Sequence, residues 1–154
     1  MLFILNVLIT MFTYVHDDKQ EVNNVLDNLH KYASEANGDE YIKLFNKNAV
    51  FHGTDLTERW TIEEFKEYAL KRFESGTGWT YEAIDRNIFI NSNNTTAWFD
   101  EIIINEKYGK FRGTGVLSKV NNIWKIDQYN LLLPIPNDLL LKYTKEIKNY
   151  INNN

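Results

Sequence analysis

Asp100 is the side chain whose type and setting best suit acid or base chemistry. It stands in the run Ala97-Trp98-Phe99-Asp100-Glu101. A carboxylate desolvated by apolar neighbours has a raised pKa, the condition for moving a proton near neutral pH. A guanidinium beside it would do the opposite, and Arg86 is the candidate for that structural pairing. His52 is a second candidate: by type a proton carrier, or else a strand-end histidine held by a hydrogen bond. Gln128 and Asn130 supply two amides suited to orienting a polar ligand, and Tyr32 supplies a hydroxyl on a helix. Asp55 and Arg59 share one loop, where they either close a pocket mouth or shape the loop itself.

Other chemistries are excluded by type and spacing. The chain has no cysteine, which removes thiolate catalysis, disulfides and Cys-based zinc sites together. His16, His30 and His52 lie far apart, and neither His-x-His nor His-Glu-x-x-His occurs, so no metal is expected. Gly113-Thr114-Gly115 falls inside a strand pattern, not after one, so it is no phosphate loop. No serine sits in a nucleophile elbow, and no cofactor is implied. A net charge of −4 argues against broad nucleic-acid binding, which needs a basic face. The Asn93-Asn94-Thr95-Thr96 sequons matter only in a glycosylating host.

The elements that must position these residues follow from periodicity. At 154 residues, with 44% hydrophobic and 25% charged side chains, the chain fits one globular domain. Val22, Val25, Leu26, Leu29, Ala33 and Ala36 recur at helical spacing up to Gly38, and Asp39 can cap a second short helix. Ala49-Val50-Phe51 reads as a first strand ending at His52-Gly53. Thr61-Ile62-Glu63-Glu64 is a capping box opening a helix that stops near Gly76. Four strands follow, at 79–90, 95–106, 111–120 and 123–133, separated by turn chemistry. Pro134 and Pro136 end the last strand, and Asn137 caps a final helix with Leu140, Tyr143 and Ile147 on one face. Helices followed by a long meander give an α+β class: a curved antiparallel sheet curling into a cone, covered by N-terminal helices, with an extra C-terminal helix. The domain is expected over 17–150, with 151–154 a loose tail.

Hairpin arithmetic predicts which residues face the cone. With Asn121-Asn122 as a two-residue turn, Val120 pairs with Ile123, Leu117 with Ile126, Gly115 with Gln128 and Gly113 with Asn130. Pairing Glu106 with Phe111 places Asp100 beside Leu117 and Ile102 beside Gly115. The inner face then carries Trp98, Asp100, Ile102, Gln128 and Asn130, with Gly113 and Gly115 leaving open space. The outer face carries Phe99, Glu101, Ile103, Arg112, Thr114, Val116 and Tyr129. On the preceding strand, Arg86 turns inward if Ile84, Ile88 and Ile90 do; a one-residue slip turns Asp85 inward instead.

Residues 1–16 stand apart. Met1 to Val15 are nearly all apolar, too short to span a bilayer but long enough for the centre of a secretory signal. No Lys or Arg precedes the run and no small-x-small cleavage site precedes His16, so a buried N-terminal element is the other reading. As a signal, the segment implies export; otherwise the protein is cytoplasmic.

Four stretches resemble bacterial SnoaL-like proteins of the nuclear transport factor 2-like superfamily. They are Thr54-Asp55-Leu56-Thr57-Glu58-Arg59-Trp60-Thr61, Ala97 to Glu101, Arg112-Gly113-Thr114-Gly115-Val116-Leu117, and Trp124-Lys125-Ile126 with Gln128-Tyr129. The resemblance covers roughly Glu21 to Asp138. It implies a cone with a small-molecule pocket, His52 near its mouth, and a homodimer formed through the outer sheet face. In the ketosteroid isomerase branch a helix tyrosine, a carboxylate base and a sheet aspartic acid do the chemistry, and Tyr32, Asp55 and Asp100 are loosely comparable. Two function classes follow. One is a domain binding a small hydrophobic or polar metabolite through Tyr32, Asp55, Arg59, Arg86, Trp98, Gln128 and Asn130. The other is a cofactor-free isomerase, cyclase or dehydratase using Asp100 with His52 or Tyr32.

Overall fold

The computed structural model describes residues 17–153, so the expected targeting segment 1–16 lies outside the described residues. Helix α1 (Asp18–Ser34) opens with the Asp17 side chain accepting from the Gln20 amide, and buries Val22, Leu26, Leu29 and Ala33. It ends before Gly38: Ala36 takes the left-handed conformation, and Asn37, not Asp39, caps the short α2 (Gly38–Lys43). Strand β1 (Phe45–His52) leads through a tight loop to β2 (Arg59–Thr61), a strand the sequence did not announce. The expected capping box then forms, Thr61 with Glu64, and starts α3 (Ile62–Phe73), which buries Ile62, Phe65, Ala69 and Phe73. The meander is β3 (Glu82–Ile90), β4 (Thr96–Asn105), β5 (Gly109–Val120) and β6 (Ile123–Leu132). A 3-10 turn at Asn137–Leu139 precedes α4 (Leu140–Asn153), which continues into the stretch expected to be loose.

One curled six-stranded sheet results, in the order β2-β1-β6-β5-β4-β3. Every neighbouring pair is antiparallel except β1 and β6, which run parallel. Helices α1 and α3 cover the concave side, and the core fills the space between.

The register differs from the hairpin arithmetic on both sides of β5. The β4–β5 turn is a three-residue loop, Glu106-Lys107-Tyr108, because Asn105 pairs with Gly109. The Asn105 side chain accepts from the Lys107 and Tyr108 amides, and Gly109 supplies the positive φ. Asp100 therefore pairs with Thr114, not Leu117. An odd shift exchanges the faces of β4. On β6 the pairings Val120–Ile123 and Leu117–Ile126 form as expected, and then Val116 pairs with Gln128, leaving Asp127 as a β-bulge. The Asn46 amide fixes that bulge, donating to Asp127 at 2.5 Å and to Ser118 at 3.0 Å.

The concave face accordingly carries Phe99, Glu101 and Ile103 of β4 and Tyr129 of β6, all expected outside, together with Ala97. Leu117, Trp124 and Ile126 are buried as expected, whereas Trp98 is 47% exposed and stacks on Phe89 across the convex face. The glycines do not open a void. A Cβ at Gly113 would stand 2.5 Å from the Tyr129 hydroxyl and 2.8 Å from Glu101, and one at Gly115 would meet the Gln128 carbonyl and Phe99. Their missing side chains are the space those groups occupy.

Candidate functional site

Between the concave sheet, α1 and the α3 region lies a cavity of about 380 Å³. That volume falls in the range of small-molecule sites. Its walls are mainly aromatic: Phe51 stacks on Phe65 at 3.9 Å and on Tyr129 at 5.4 Å, and Trp60 stacks on Tyr68 at 4.9 Å. Tyr81, Tyr108 and Phe111 line it as well, with Tyr81 edge-on to Phe111. Burial raises the Tyr81 phenol above its ordinary value, with Tyr108 adding to it, so its hydroxyl stays protonated at neutral pH.

His30 is the imidazole in this wall. Its Nε2 lies 2.8 Å from Oε1 of Glu101, a carboxylate only 1% exposed. The Tyr129 hydroxyl donates to the same oxygen at 2.9 Å, and Arg86 Nε donates to Oε2 at 2.8 Å. Burial alone would push the Glu101 carboxyl up. The hydrogen bond and charge of His30, with the Arg86 guanidinium, outweigh it and hold the group below its ordinary value. An ionised carboxylate only accepts hydrogen bonds, so Nε2 of His30 carries a proton and donates. Among the described residues nothing takes Nδ1. Burial and then the Glu101 charge raise the Tyr129 phenol well above its ordinary value, which keeps it a donor.

Arg86 is placed by a second irregularity, between Ala83 and Asp85 on β3, which pairs it with Glu101. It turns inward as expected, but its partner is Glu101 and not Asp100. Its Nη1 donates to Asp27 at 2.6 Å and to the Asn23 side chain at 2.8 Å, while Nη2 is buried without a hydrogen-bond partner among the described residues. At the mouth, the loop after β1 is closed by Gly53 N–H donating to the Glu58 carbonyl and Glu58 N–H to Asp55. A side chain at Gly53 would collide with the Glu58 carboxylate, so the glycine leaves room for it.

The remaining expected site residues fall elsewhere. His52, Asn130, Thr114, Asp100 and Asn87 form one cross-strand row along the convex face, with Arg59 paired to His52 at its end. Within that row Asn87 donates to Asp100 at 3.2 Å, Asn130 to Thr114 at 2.9 Å, and Gln128 reaches Asn130 at 3.2 Å. Trp98 sits on the same face. Asp55 is exposed and accepts from the Thr57 amide and hydroxyl, which holds its carboxyl below the usual range. Tyr32 packs partly buried against the core and does not line the cavity.

His30, Glu101, Tyr129 and Glu58 were not singled out in the sequence. His30 carried a readable signal: it lies four residues after Leu26 and three before Ala33, on the buried stripe of α1. Glu101 carried none by itself, because consecutive residues of a strand point to opposite faces.

This architecture, with an aromatic cavity on the concave side of the sheet, is a nuclear transport factor 2-like fold. The chain belongs to the SnoaL-like domain family, whose model matches residues 22–136. Among solved structures it is similar to an NTF2-like protein of unknown function from Pseudomonas putida KT2440. That match has a TM-score of 0.65 and 8% identity, covering 77% of this chain and 87% of that one. It is similar also to a candidate scytalone dehydratase from Novosphingobium aromaticivorans DSM 12444, with TM-score 0.65, 12% identity and coverage of 77% and 85%. A third is a domain of unknown function with a cystatin-like fold from Nostoc punctiforme PCC 73102, with TM-score 0.66, 14% identity and coverage of 88% and 93%. At these identities the likeness is one of fold. No curated protein matches the chain. Among the described residues there is no group of potential metal ligands, and no helix is long and apolar enough to cross a membrane.

Proposed function

We propose that the cavity binds a small ring-bearing molecule and that His30 meets its polar group. The observation that carries this reading is the pairing of aromatic walls with one imidazole fixed from behind by a buried carboxylate. Flat walls suit a planar apolar body, and a few fixed polar groups give orientation. Retention of a small aromatic from a compound mixture by the wild-type protein, lost in His30→Ala and Phe111→Arg, is the expected result. Equal retention by both variants overturns the reading.

A second reading is favoured by the direction of the His30–Glu101 bond. A histidine oriented by a buried carboxylate at Nε2, with no hydrogen-bond partner at Nδ1 among the described residues, is the arrangement general acid–base catalysis uses. His30 would take a proton at Nδ1 from a carbon or hydroxyl of the ligand and return it elsewhere, as a cofactor-free isomerase, cyclase or dehydratase requires. The candidate dehydratase among the fold neighbours supports this class by analogy only. Nitrogen NMR of the His30 ring decides the premise: a protonated Nε2 is expected, and a protonated Nδ1 removes the base.

The convex face supports a homodimer. Phe89, Trp98 and Leu132 are each 47% exposed there, flanking the polar row. Half-exposed rings on a broad sheet suit burial against a second copy. Sedimentation of wild type and Trp98→Arg tests this, with a dimer and a monomer expected respectively.

A further inference from the structure

We infer that the cavity selects a ring-bearing molecule with a pendant ammonium over one bearing a carboxylate or phosphate; this rests on the cavity being a ligand site, as proposed above.

Among the described residues, no lysine or arginine lines the cavity. Arg86 stands behind the wall, engaged by Glu101, Asp27 and Asn23. An anionic ligand group would therefore lose its hydration with no lysine or arginine of the lining to replace it. The acid in the wall is Glu58. The loop hydrogen bonds at Gly53 and Asp55 hold its backbone, and its Oε2 accepts from the Asp55 amide at 3.1 Å. Its Oε1 has no hydrogen-bond partner among the described residues. The carboxylate is thus set in place by the fold, over the backbone of Gly53.

The rings point the same way. Trp60, Tyr68, Trp79, Tyr81 and Tyr108 lie in the same lining as Glu58. Aromatic faces carry negative potential and attract organic cations, the more strongly where water is excluded. Trp79 already receives one cation, with the Arg72 guanidinium 5.1 Å from its ring. An ammonium on a planar body therefore meets a fixed carboxylate and several π faces, while a carboxylate on the same body meets the charge of Glu58 with no lysine or arginine of the lining to offset it.

The test compares phenethylamine, phenethyl alcohol and phenylacetate, which share a ring and differ in charge. It is run at about pH 8, where a free imidazole is neutral, following the indole NMR signals of Trp60 and Trp79. Wild type should bind the amine at least about tenfold more tightly than the acid, with the alcohol between. Glu58→Gln should bring the amine down to the alcohol and leave the alcohol unchanged. Leu133→Lys, which puts a cation into the wall at a half-exposed position, should reverse the order of amine and acid. Binding of the alcohol without preference for the amine overturns the charge inference and leaves the ligand site standing. Unperturbed indole signals with all three compounds overturn both.

Discussion

Glu101 is the residue on which the interior depends. Its two oxygens gather the imidazole, the phenol and the guanidinium of three separate elements. Removing one partner from such a set leaves buried charge without compensation, so Glu101→Ala should lower stability by about 3–5 kcal/mol in chemical denaturation. The pH dependence has a definite sign. The folded-state pKa of Glu101 lies below its unfolded value of about 4.5. Its stabilisation is fully present above that value and is lost as pH falls from there through the lower, folded pKa. Glu101→Gln should flatten the stability curve in that acid window, and a Gln variant with an unchanged slope would contradict the assignment. Gly113→Ala probes the same centre sterically, because the added methyl would crowd both Tyr129 and Glu101. A loss of about 1–3 kcal/mol is expected. Asp100 and Glu101 are adjacent in sequence, and composition cannot say which one faces inward. Ala97, Phe99 and Ile103 on one side and Trp98, Ile102 and Ile104 on the other are almost equally apolar, so the usual alternation signal is absent.

At the level of elements, nearly everything local was legible and the register was not. The capping box, the Asn121-Asn122 turn with both residues at positive φ, and the helical stripe of α1 all rest on contacts a few residues apart. The bulge at Asp127 rests on Asn46, 81 residues away in the chain. No pattern within β6 announces it. It is nonetheless what turns Tyr129 inward and Gln128 outward. Deleting Asp127 should restore an unbroken ladder and drive Gln128 into the core. Unfolding at lower denaturant is the expected outcome, and a deletion variant as stable as wild type would show that the bulge does not set the face. Trp124, before the bulge, is 3% exposed and its indole donates to Asp18 at 3.0 Å. Trp124→Ala should cost about 3–5 kcal/mol.

For the whole molecule, the cone, its helical cover and the family were readable because they depend on the order of elements and on a few quoted motifs. The site was not, because it depends on which of two faces each strand presents. The residues chosen for the cavity mostly lie on the convex side, Trp98 and Asp100 through the three-residue β4–β5 loop and Gln128 and Asn130 through the bulge at Asp127. Residues 17–153 form a sheet, a core and a cavity. A chain beginning at Asp17 should therefore give a cooperative thermal transition and the same indole NMR pattern as the full chain. Loss of cooperativity would assign the N-terminal run to the core. Helix α4 packs on the preceding 3-10 turn and has no buried residue. Truncation after Pro136 should change the melting temperature little, and a large drop would mean that α4 supports the domain.

The cross-strand row on the convex face has an evolutionary corollary. On β4, even-numbered residues from Trp98 to Ile104 address the outside and odd-numbered ones from Ala97 to Ile103 address the interior. Two vocabularies are interleaved on one strand, and each can drift without rewriting the other. Lineages with this scaffold are free to change the convex surface while keeping the cavity wall, or to change the wall under an unchanged surface. In a saturation library selected for ligand retention in the monomeric state, tolerance along this strand should oscillate with a two-residue beat. An insertion of one residue should be far less tolerated than an insertion of two.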